Sequence, residues 1–154
     1  MLFTKSFITW SPEETIALGR QFGNLLRPND VVALCGPLGS GKTCFSKGVA
    51  VGLGVNSMDE IVSPTFILIQ ELQGRIPFFH IDLYRIEKRE EIENLGLEEY
   101  WERGGVCLVE WAERAESLLP SGTLTVSFEV KEENQRSLHF GSSESHDIIK
   151  RLCL

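Results

Sequence analysis

The chain has 154 residues, of which 42% are hydrophobic and 24% charged, and a net charge of −7, enough material for one domain with a sizeable core. The acid excess excludes the broad basic face by which proteins hold nucleic acid unaided, and no apolar run approaches the ~20 residues of a membrane span. The opening Met1–Ser6 lacks the apolar stretch and cleavage site of a secretory leader, and Cys35, Cys44, Cys107 and Cys153 form no C-x-x-C pair, so reduced thiols and a cytoplasmic location are expected.

Residues 3–9 read as a short strand. Ser11-Pro12-Glu13-Glu14 is a helix start: Ser11 caps, Pro12 suits the first helical position and Glu14 completes a capping box. Ile16, Phe22, Leu25 and Leu26 keep helical spacing until Arg27-Pro28-Asn29-Asp30 stops the run. Val31-Val32-Ala33-Leu34-Cys35 is an unbroken apolar run, as a buried parallel strand requires.

Gly36-Pro37-Leu38-Gly39-Ser40-Gly41-Lys42-Thr43 follows at once, and Thr43 to Leu53 continues as a helix. This is the spacing of a phosphate-binding loop. Glycines let the chain wrap a phosphate and turn successive backbone N–H groups towards it, and the new helix adds its positive end. Lys42 is expected to reach the β and γ oxygens, to be solvent-accessible in the empty loop, and to act with Thr43, whose hydroxyl is the expected Mg²⁺ ligand. The segment therefore predicts binding of a nucleoside triphosphate.

Gly52, Gly54, Asn56 and Ser57 mark a connection, and Ser63-Pro64-Thr65 reads either as a strand-entry turn or as a switch loop sensing the γ-phosphate. Phe66–Leu72 and Arg75–Asp82 predict a hairpin through Gln73-Gly74. Lys88–Leu95 and Leu97–Arg103 are helical stretches divided by Gly96. Arg85, Lys88 and Arg89 cluster among four glutamates, which suits a solvated helix face better than an RNA patch. Val106–Glu110 is a second buried strand, and Thr123–Val130 with Gln135–Phe140 form a closing hairpin. From about residue 142 the chain is either a terminal helix or a frayed tail. The expectation is a single α/β domain over 1–154, P-loop NTPase-like, with a mixed, largely parallel central sheet and antiparallel hairpins.

A Mg²⁺ site needs a further carboxylate at the carboxyl end of a neighbouring strand. Asp82 and Glu110 each close an apolar strand, a costly position without a cation. Asp82 also suits a helix cap, whereas Glu110 is better read as a metal ligand. His80 shares a strand face with Asp82 and either orients a water or phosphate oxygen or is a hydrogen-bonded core residue. Trp111 either packs the sheet edge or helps hold a partner or a loop over the site.

With these residues in view, the chain resembles the TsaE (YjeE) family of bacterial ATPases needed for threonylcarbamoyladenosine (t6A) formation in tRNA. The resemblance rests on Ser11-x-x-x-Thr15-x-x-Leu18-Gly19, the loop Gly36–Thr43, Ser63-Pro64-Thr65, His80-x-Asp82-Leu83-Tyr84-Arg85 and Leu108-Val109-Glu110-Trp111. It implies ATP with Mg²⁺ and a complex with TsaD- and TsaB-type proteins, tRNA being met only indirectly. By residue it implies Lys42, Asp82 and Glu110 as the catalytic group and Thr43 and Glu110 as metal ligands. Pro37, Leu38, Gly39, Ser40, Gly41, Lys42 and Thr43 would cradle the nucleotide, with Ser11 and Arg136 towards the nucleoside. Pro37 and Ala112 depart from the family pattern, the first removing an N–H from the loop. A small-molecule kinase using the same loop is the rival, disfavoured by the lack of an Arg-rich lid; a non-catalytic nucleotide-dependent module is another. A GTPase is disfavoured by the absence of N-K-x-D.

Overall fold

The computed structural model describes residues 2–56, 61, 68–144 and 146–153. Ser63-Pro64-Thr65 and the first residues of the strand expected from Phe66 lie outside them. The described elements are β1 (Leu2–Thr9), α1 (Pro12–Leu25), β2 (Val31–Cys35), α2 (Lys42–Gly52), β3 (Ile69–Gln73), β4 (Pro77–Asp82), α3 (Arg89–Glu93), α4 (Leu97–Tyr100), β5 (Val106–Glu110), a 3₁₀ segment (Ala112–Leu118), β6 (Leu124–Val130), β7 (Arg136–Ser142) and α5 (Asp147–Arg151).

Seven strands form one sheet in the order β1-β7-β6-β2-β5-β4-β3. The centre is parallel, β6-β2-β5-β4, and both wings are antiparallel hairpins. The sheet is mixed as expected, and the structure is α/β. Because β2, β4 and β5 run the same way, Cys35, Asp82 and Glu110 end on one edge, the edge where open parallel sheets place ligands.

The apolar strands bury both faces. On β2, Val32 and Leu34 face a core shared with α1, α2 and α5, while Val31 and Ala33 face a second core under α3, α4 and the 3₁₀ segment. The same alternation on β4 sends Phe78 to the first core and Phe79 and Ile81 to the second. By period 2, His80 and Asp82 therefore look towards α2, as does Glu110 on β5.

Helix α1 begins as its sequence dictates. The Ser11 hydroxyl accepts from the Glu14 N–H (3.1 Å), the first half of a capping box, while the Glu14 carboxylate reaches one residue further back and accepts from the Trp10 N–H (2.9 Å). The helix then packs on α2 with almost no side chain between them. A Cβ added to Gly19 or Gly23 of α1, or to Gly48 or Gly52 of α2, would come within 2.1–2.4 Å of a carbonyl oxygen on the facing helix. The two G-x-x-x-G pairs face each other and bring the start of α1 beside the loop before α2.

Two expectations need correcting, and one left open is decided. Arg75 is not in the hairpin strand: β3 reaches Gln73, which pairs with Pro77. The Arg75 guanidinium turns instead to the end of α1, donating to the carbonyls of Gly23 (2.8 Å), Asn24 (3.2 Å) and Leu26 (2.9 Å), where a helix terminus leaves acceptors unsatisfied. The helical stretches from Lys88 and Leu97 are single turns, Arg89–Glu93 and Leu97–Tyr100, broken by Gly96 at φ +66°. Of the two readings of the chain end the helix holds, as Asp147–Arg151, with Ile148, Ile149 and Leu152 buried in the first core. The backbone after it is tied to α1, with Gln21 accepting from the Cys153 N–H at 2.8 Å and donating to its carbonyl at 2.5 Å.

Candidate functional site

The loop between β2 and α2 turns on glycines at positive φ, Gly39 at +77° and Gly41 at +104°. Gly41 is the N-cap of α2 and offers no side-chain cap, so the first amides of the helix remain open to an anion. The Ser40 hydroxyl is buried, 1% exposed, and has no hydrogen-bond partner. A buried hydroxyl left unpaired costs stability unless something arrives to pair with it.

A cavity of about 330 Å³ opens over this loop. Leu38, Gly39, Ser40, Gly41, Lys42 and Thr43 form its floor, Ser11 and Thr15 of α1 one wall, and Asp82, Tyr84 and Trp111 the opposite wall, with Arg136 and Asn134 at the end. Of the described residues singled out from sequence as site candidates, Gly36, Pro37, His80 and Glu110 do not line it. A larger groove of about 950 Å³ lies between residues 86–93 and 113–118. It contains none of the loop residues and mixes acids with bases, so size alone does not mark the site.

Lys42 overturns one expectation. It is 5% exposed, not solvent-accessible. Its ammonium donates to the carbonyls of Gly36 and Pro37, the latter at 3.1 Å, and lies 3.8 Å from the centroid of the Trp111 ring. The loop's own carbonyls and an aromatic face satisfy the charge. Burial pushes the Lys42 pKa down, while Glu113, Glu110 and Asp82 work against that shift.

Trp111 holds this position through unusual backbone geometry. It sits at φ +59°, ψ +40°, a left-handed conformation that costs a bulky residue about 1–2 kcal/mol. The turn swings its indole from the end of β5 over the loop, against Tyr84 (centroids 5.2 Å apart) and Arg114 (5.3 Å). Arg114 also donates to the carbonyls of Leu83, Tyr84 and Ile86, which fixes the loop after β4 from within the chain.

The two carboxylates differ in their surroundings. Asp82 and Glu110 are register neighbours on β4 and β5. Glu110 is 2% exposed and fully engaged: Oε1 accepts from Thr43 Oγ1 (3.2 Å), and Oε2 meets Ser46 Oγ (3.0 Å) and His80 Nε2 (2.5 Å). Asp82 reaches the cavity wall. Its Oδ1 accepts from the Tyr84 N–H at 2.9 Å, so the capping tendency read from sequence becomes a turn within its own loop and not a cap on α3. Burial, then the charge of Glu110, raises the Asp82 pKa above the ordinary carboxylate value. His80 is a hydrogen-bonded core residue whose ring faces Glu110, not the cavity.

Arg136 ties the last hairpin to the loop. Its Nη2 donates to the Gly39 carbonyl (3.2 Å) and its Nη1 sits among the carbonyls of Glu132, Glu133 and Gln135 (3.0–3.1 Å). Sequence reasoning did not single out Thr15, Cys44 or Asn134 as cavity residues. For Thr15 a signal was present, since it lies one helical turn after Ser11 on the same face. For Asn134 none was, because only the hairpin's return brings it over the loop.

The donors fit a magnesium-bound triphosphate. Among the described residues no three His, Cys, Asp or Glu side chains cluster as a self-sufficient metal site. Mg²⁺ needs no such cluster, taking one or two protein oxygens and the remainder from phosphate and water. Thr43 and Asp82 offer oxygens of that kind on the cavity, beside an unpaired hydroxyl and an open helix start, with Glu110 Oε1 directly behind the Thr43 hydroxyl.

A parallel sheet centre, a G-x-x-x-x-G-K-T loop at its carboxyl edge and a helix springing from that loop define an α/β protein of the P-loop NTPase-like class. The comparisons are narrower. The family described as "Threonylcarbamoyl adenosine biosynthesis protein TsaE" matches residues 9–138. The chain is 40% identical over 131 residues to the tRNA threonylcarbamoyladenosine biosynthesis protein TsaE of Treponema pallidum, covering 85% of this chain and 96% of that one. With the Bacillus subtilis protein of the same name it shares 43% identity over 133 residues, 86% and 82% of the two chains. The crystal structure of Bacillus subtilis YdiB superposes with a TM-score of 0.77 at 34% identity, covering 99% of this chain and 94% of that one. The chain belongs to the TsaE family. Among the described residues no helix is long and apolar enough to cross a membrane.

Proposed function

We propose that this protein binds and slowly hydrolyses Mg-ATP as an accessory to t6A formation in tRNA, working in the cytoplasm with TsaD- and TsaB-type proteins. Family membership supports the t6A part of this reading. The observation that carries the nucleotide part is the loop itself: an uncapped α2 start and an unpartnered, buried Ser40 hydroxyl, on a cavity that Asp82 also lines.

The amides from Gly39 to Thr43 and the Ser40 hydroxyl bind phosphate oxygens, and the Lys42 ammonium leaves the Gly36 and Pro37 carbonyls to join them. Thr43 and Glu110 would hold the Mg²⁺ that accompanies the triphosphate, and the ion would neutralise charge on the phosphate oxygens. Asp82 has one oxygen tied to the Tyr84 amide. The other takes the proton of the attacking water, a role suited to a carboxylate whose pKa burial has raised.

Among the described residues, Arg136 of the cavity and Arg114 beside Trp111 are both spent on backbone carbonyls, so neither is placed to stabilise the transferring phosphoryl group. Such a group accelerates hydrolysis by roughly 10³–10⁵ when a partner supplies it. Turnover alone is therefore slow. With a net charge of −7, tRNA is met through the partners. The test is ATP hydrolysis with TsaD- and TsaB-type proteins absent, singly present and together. Slow turnover alone and a changed rate with both is the expected result. Fast turnover alone, with phosphorylation of a small acceptor, would favour a kinase; binding without hydrolysis in any mixture would favour a nucleotide-dependent interaction module.

A further inference from the structure

We propose that His80 is a positioning residue: it anchors one oxygen of Glu110 so that the other is turned to Thr43, and it thereby sets the divalent-cation requirement of nucleotide binding. The inference rests on the reading of the loop as a Mg-nucleotide site.

Glu110 ends β5 in the core, 2% exposed, where a carboxylate is tolerated only with its lone pairs satisfied. Its orientation is decided by three neighbours. Thr43 Oγ1 donates to Oε1, while Oε2 is held by His80 Nε2 at 2.5 Å and approached by Ser46 Oγ at 3.0 Å. The Ser46 hydroxyl has a single proton and lies equally close to the Lys42 carbonyl, at 2.9 Å, so it is shared. His80 is the nearer and undivided anchor. The imidazole is itself fixed: it is 2% exposed, in the middle of β4, with the Phe78 ring at 6.3 Å.

The consequence is a division of labour within one carboxylate. Oε2 is spent on β4 and α2, which locks the side chain. Oε1 is left beside the Thr43 hydroxyl, so the two oxygens best placed for a cation are held together. Asp82 sits directly across on β4 and repels Glu110. Without His80, that repulsion and a half-share of Ser46 would leave the Glu110 rotamer undetermined.

Groups that orient metal-binding side chains typically change metal affinity about 10–100-fold when removed. The test is ADP binding by calorimetry, in EDTA and across a Mg²⁺ titration, for wild type and for His80→Phe, His80→Gln and His80→Asn, with melting of each nucleotide-free protein. His80→Phe keeps the ring volume and loses the anchor. It should leave the affinity for ADP in EDTA unchanged and raise the half-saturating Mg²⁺ by about tenfold or more. Glutamine can place an N–H where Nε2 stands and should restore most of the loss, while the shorter asparagine should not. If His80→Phe fails to fold, the glutamine and asparagine variants carry the same comparison.

A wild-type Mg²⁺ midpoint in His80→Phe, or in His80→Asn where the phenylalanine variant does not fold, would overturn the inference. Equal losses with and without Mg²⁺ would do so too, because they would reduce His80 to a structural role. ADP binding by wild type with no response to Mg²⁺ would defeat this inference and leave a nucleotide site standing. No binding by wild type in either condition would defeat the nucleotide reading and this inference together.

Discussion

Replacing Gly48 by alanine sets two effects of opposite sign against each other. In a helix interior alanine is favoured over glycine by about 1 kcal/mol, because glycine loses more conformational freedom on folding. Against that, the new methyl carbon would stand 2.1 Å from the Ile16 carbonyl oxygen and 2.8 Å from the Arg20 nitrogen. Both are backbone atoms of α1 and cannot rotate away. Ordinary contact returns only if α1 lifts from α2 by about 1 Å or more. Overpacking of this severity costs about 1–3 kcal/mol, and against two backbone atoms the upper half of that range is expected. The net is a loss of roughly 1–2 kcal/mol, or a melting temperature lower by about 2–8 °C in a chain of this size. Because Ser11 and Thr15 ride on α1 and wall the cavity, nucleotide affinity should fall as well. The assay is reversible thermal unfolding of wild type, Gly48→Ala, Gly19→Ala and the double variant. The double variant should lose less than the sum of the singles, since the first methyl already parts the helices that the second would part. A Gly48→Ala protein as stable as wild type or more so would refute backbone contact between α1 and α2, and with it the account of how α1 is set beside the loop.

Three further outcomes are expected. Phosphate binding should draw the Lys42 ammonium off the Trp111 ring and change tryptophan emission; Trp111→Phe should abolish most of that change, and its persistence from Trp10 and Trp101 would contradict the contact. Asp82→Asn should raise the melting temperature of the nucleotide-free protein at neutral pH while cutting hydrolysis more than binding. A raised native pKa means the native state binds more protons than the unfolded chain between the ordinary carboxylate value and the raised one, so wild-type stability falls as pH climbs through that window. The mutant's advantage should accordingly shrink towards pH 4, and a pH-independent gap would contradict it. Arg136→Ala should release the Gly39 carbonyl and weaken nucleotide binding by about 1 kcal/mol, or roughly fivefold, with the sheet intact by circular dichroism; unchanged affinity would remove Arg136 from the loop's support.

Local rules account for what the sequence made legible. The Ser11 cap, the apolar strands β2 and β5 and the loop between Gly36 and Thr43 all follow from neighbouring residues, and each appears where that reasoning put it, save that Glu14 bonds the Trp10 N–H and not the Ser11 N–H of a capping box. Alternation along β4 correctly placed His80 and Asp82 on one face. What stayed hidden depended on contacts between distant segments. Glycines at 19, 23, 48 and 52 look like isolated weaknesses in two helices until the helices meet. Arg75 reads as a strand residue because nothing nearby shows that the end of α1 lies beside it. Lys42 seemed free because its binding partners in the empty loop, Trp111 among them, are brought there by a left-handed turn that no local preference would suggest for tryptophan. The hydrogen bond from His80 to Glu110 spans 30 residues and needs the parallel register of β4 on β5.

The most direct test of the central claim is a calorimetric titration of Mg-ATP into wild type and Lys42→Met, with the fold of each followed by melting. Methionine keeps much of the buried stem and removes the charge, so some stability lost with the Gly36 and Pro37 carbonyl bonds is expected, but a folded protein remains. Wild type should bind one ATP. The mutant should bind more weakly by about 3 kcal/mol, on the order of 100-fold, the worth of a strong hydrogen bond to a charged group. Wild-type affinity in a folded Lys42→Met protein would contradict the assignment of this loop as the triphosphate site.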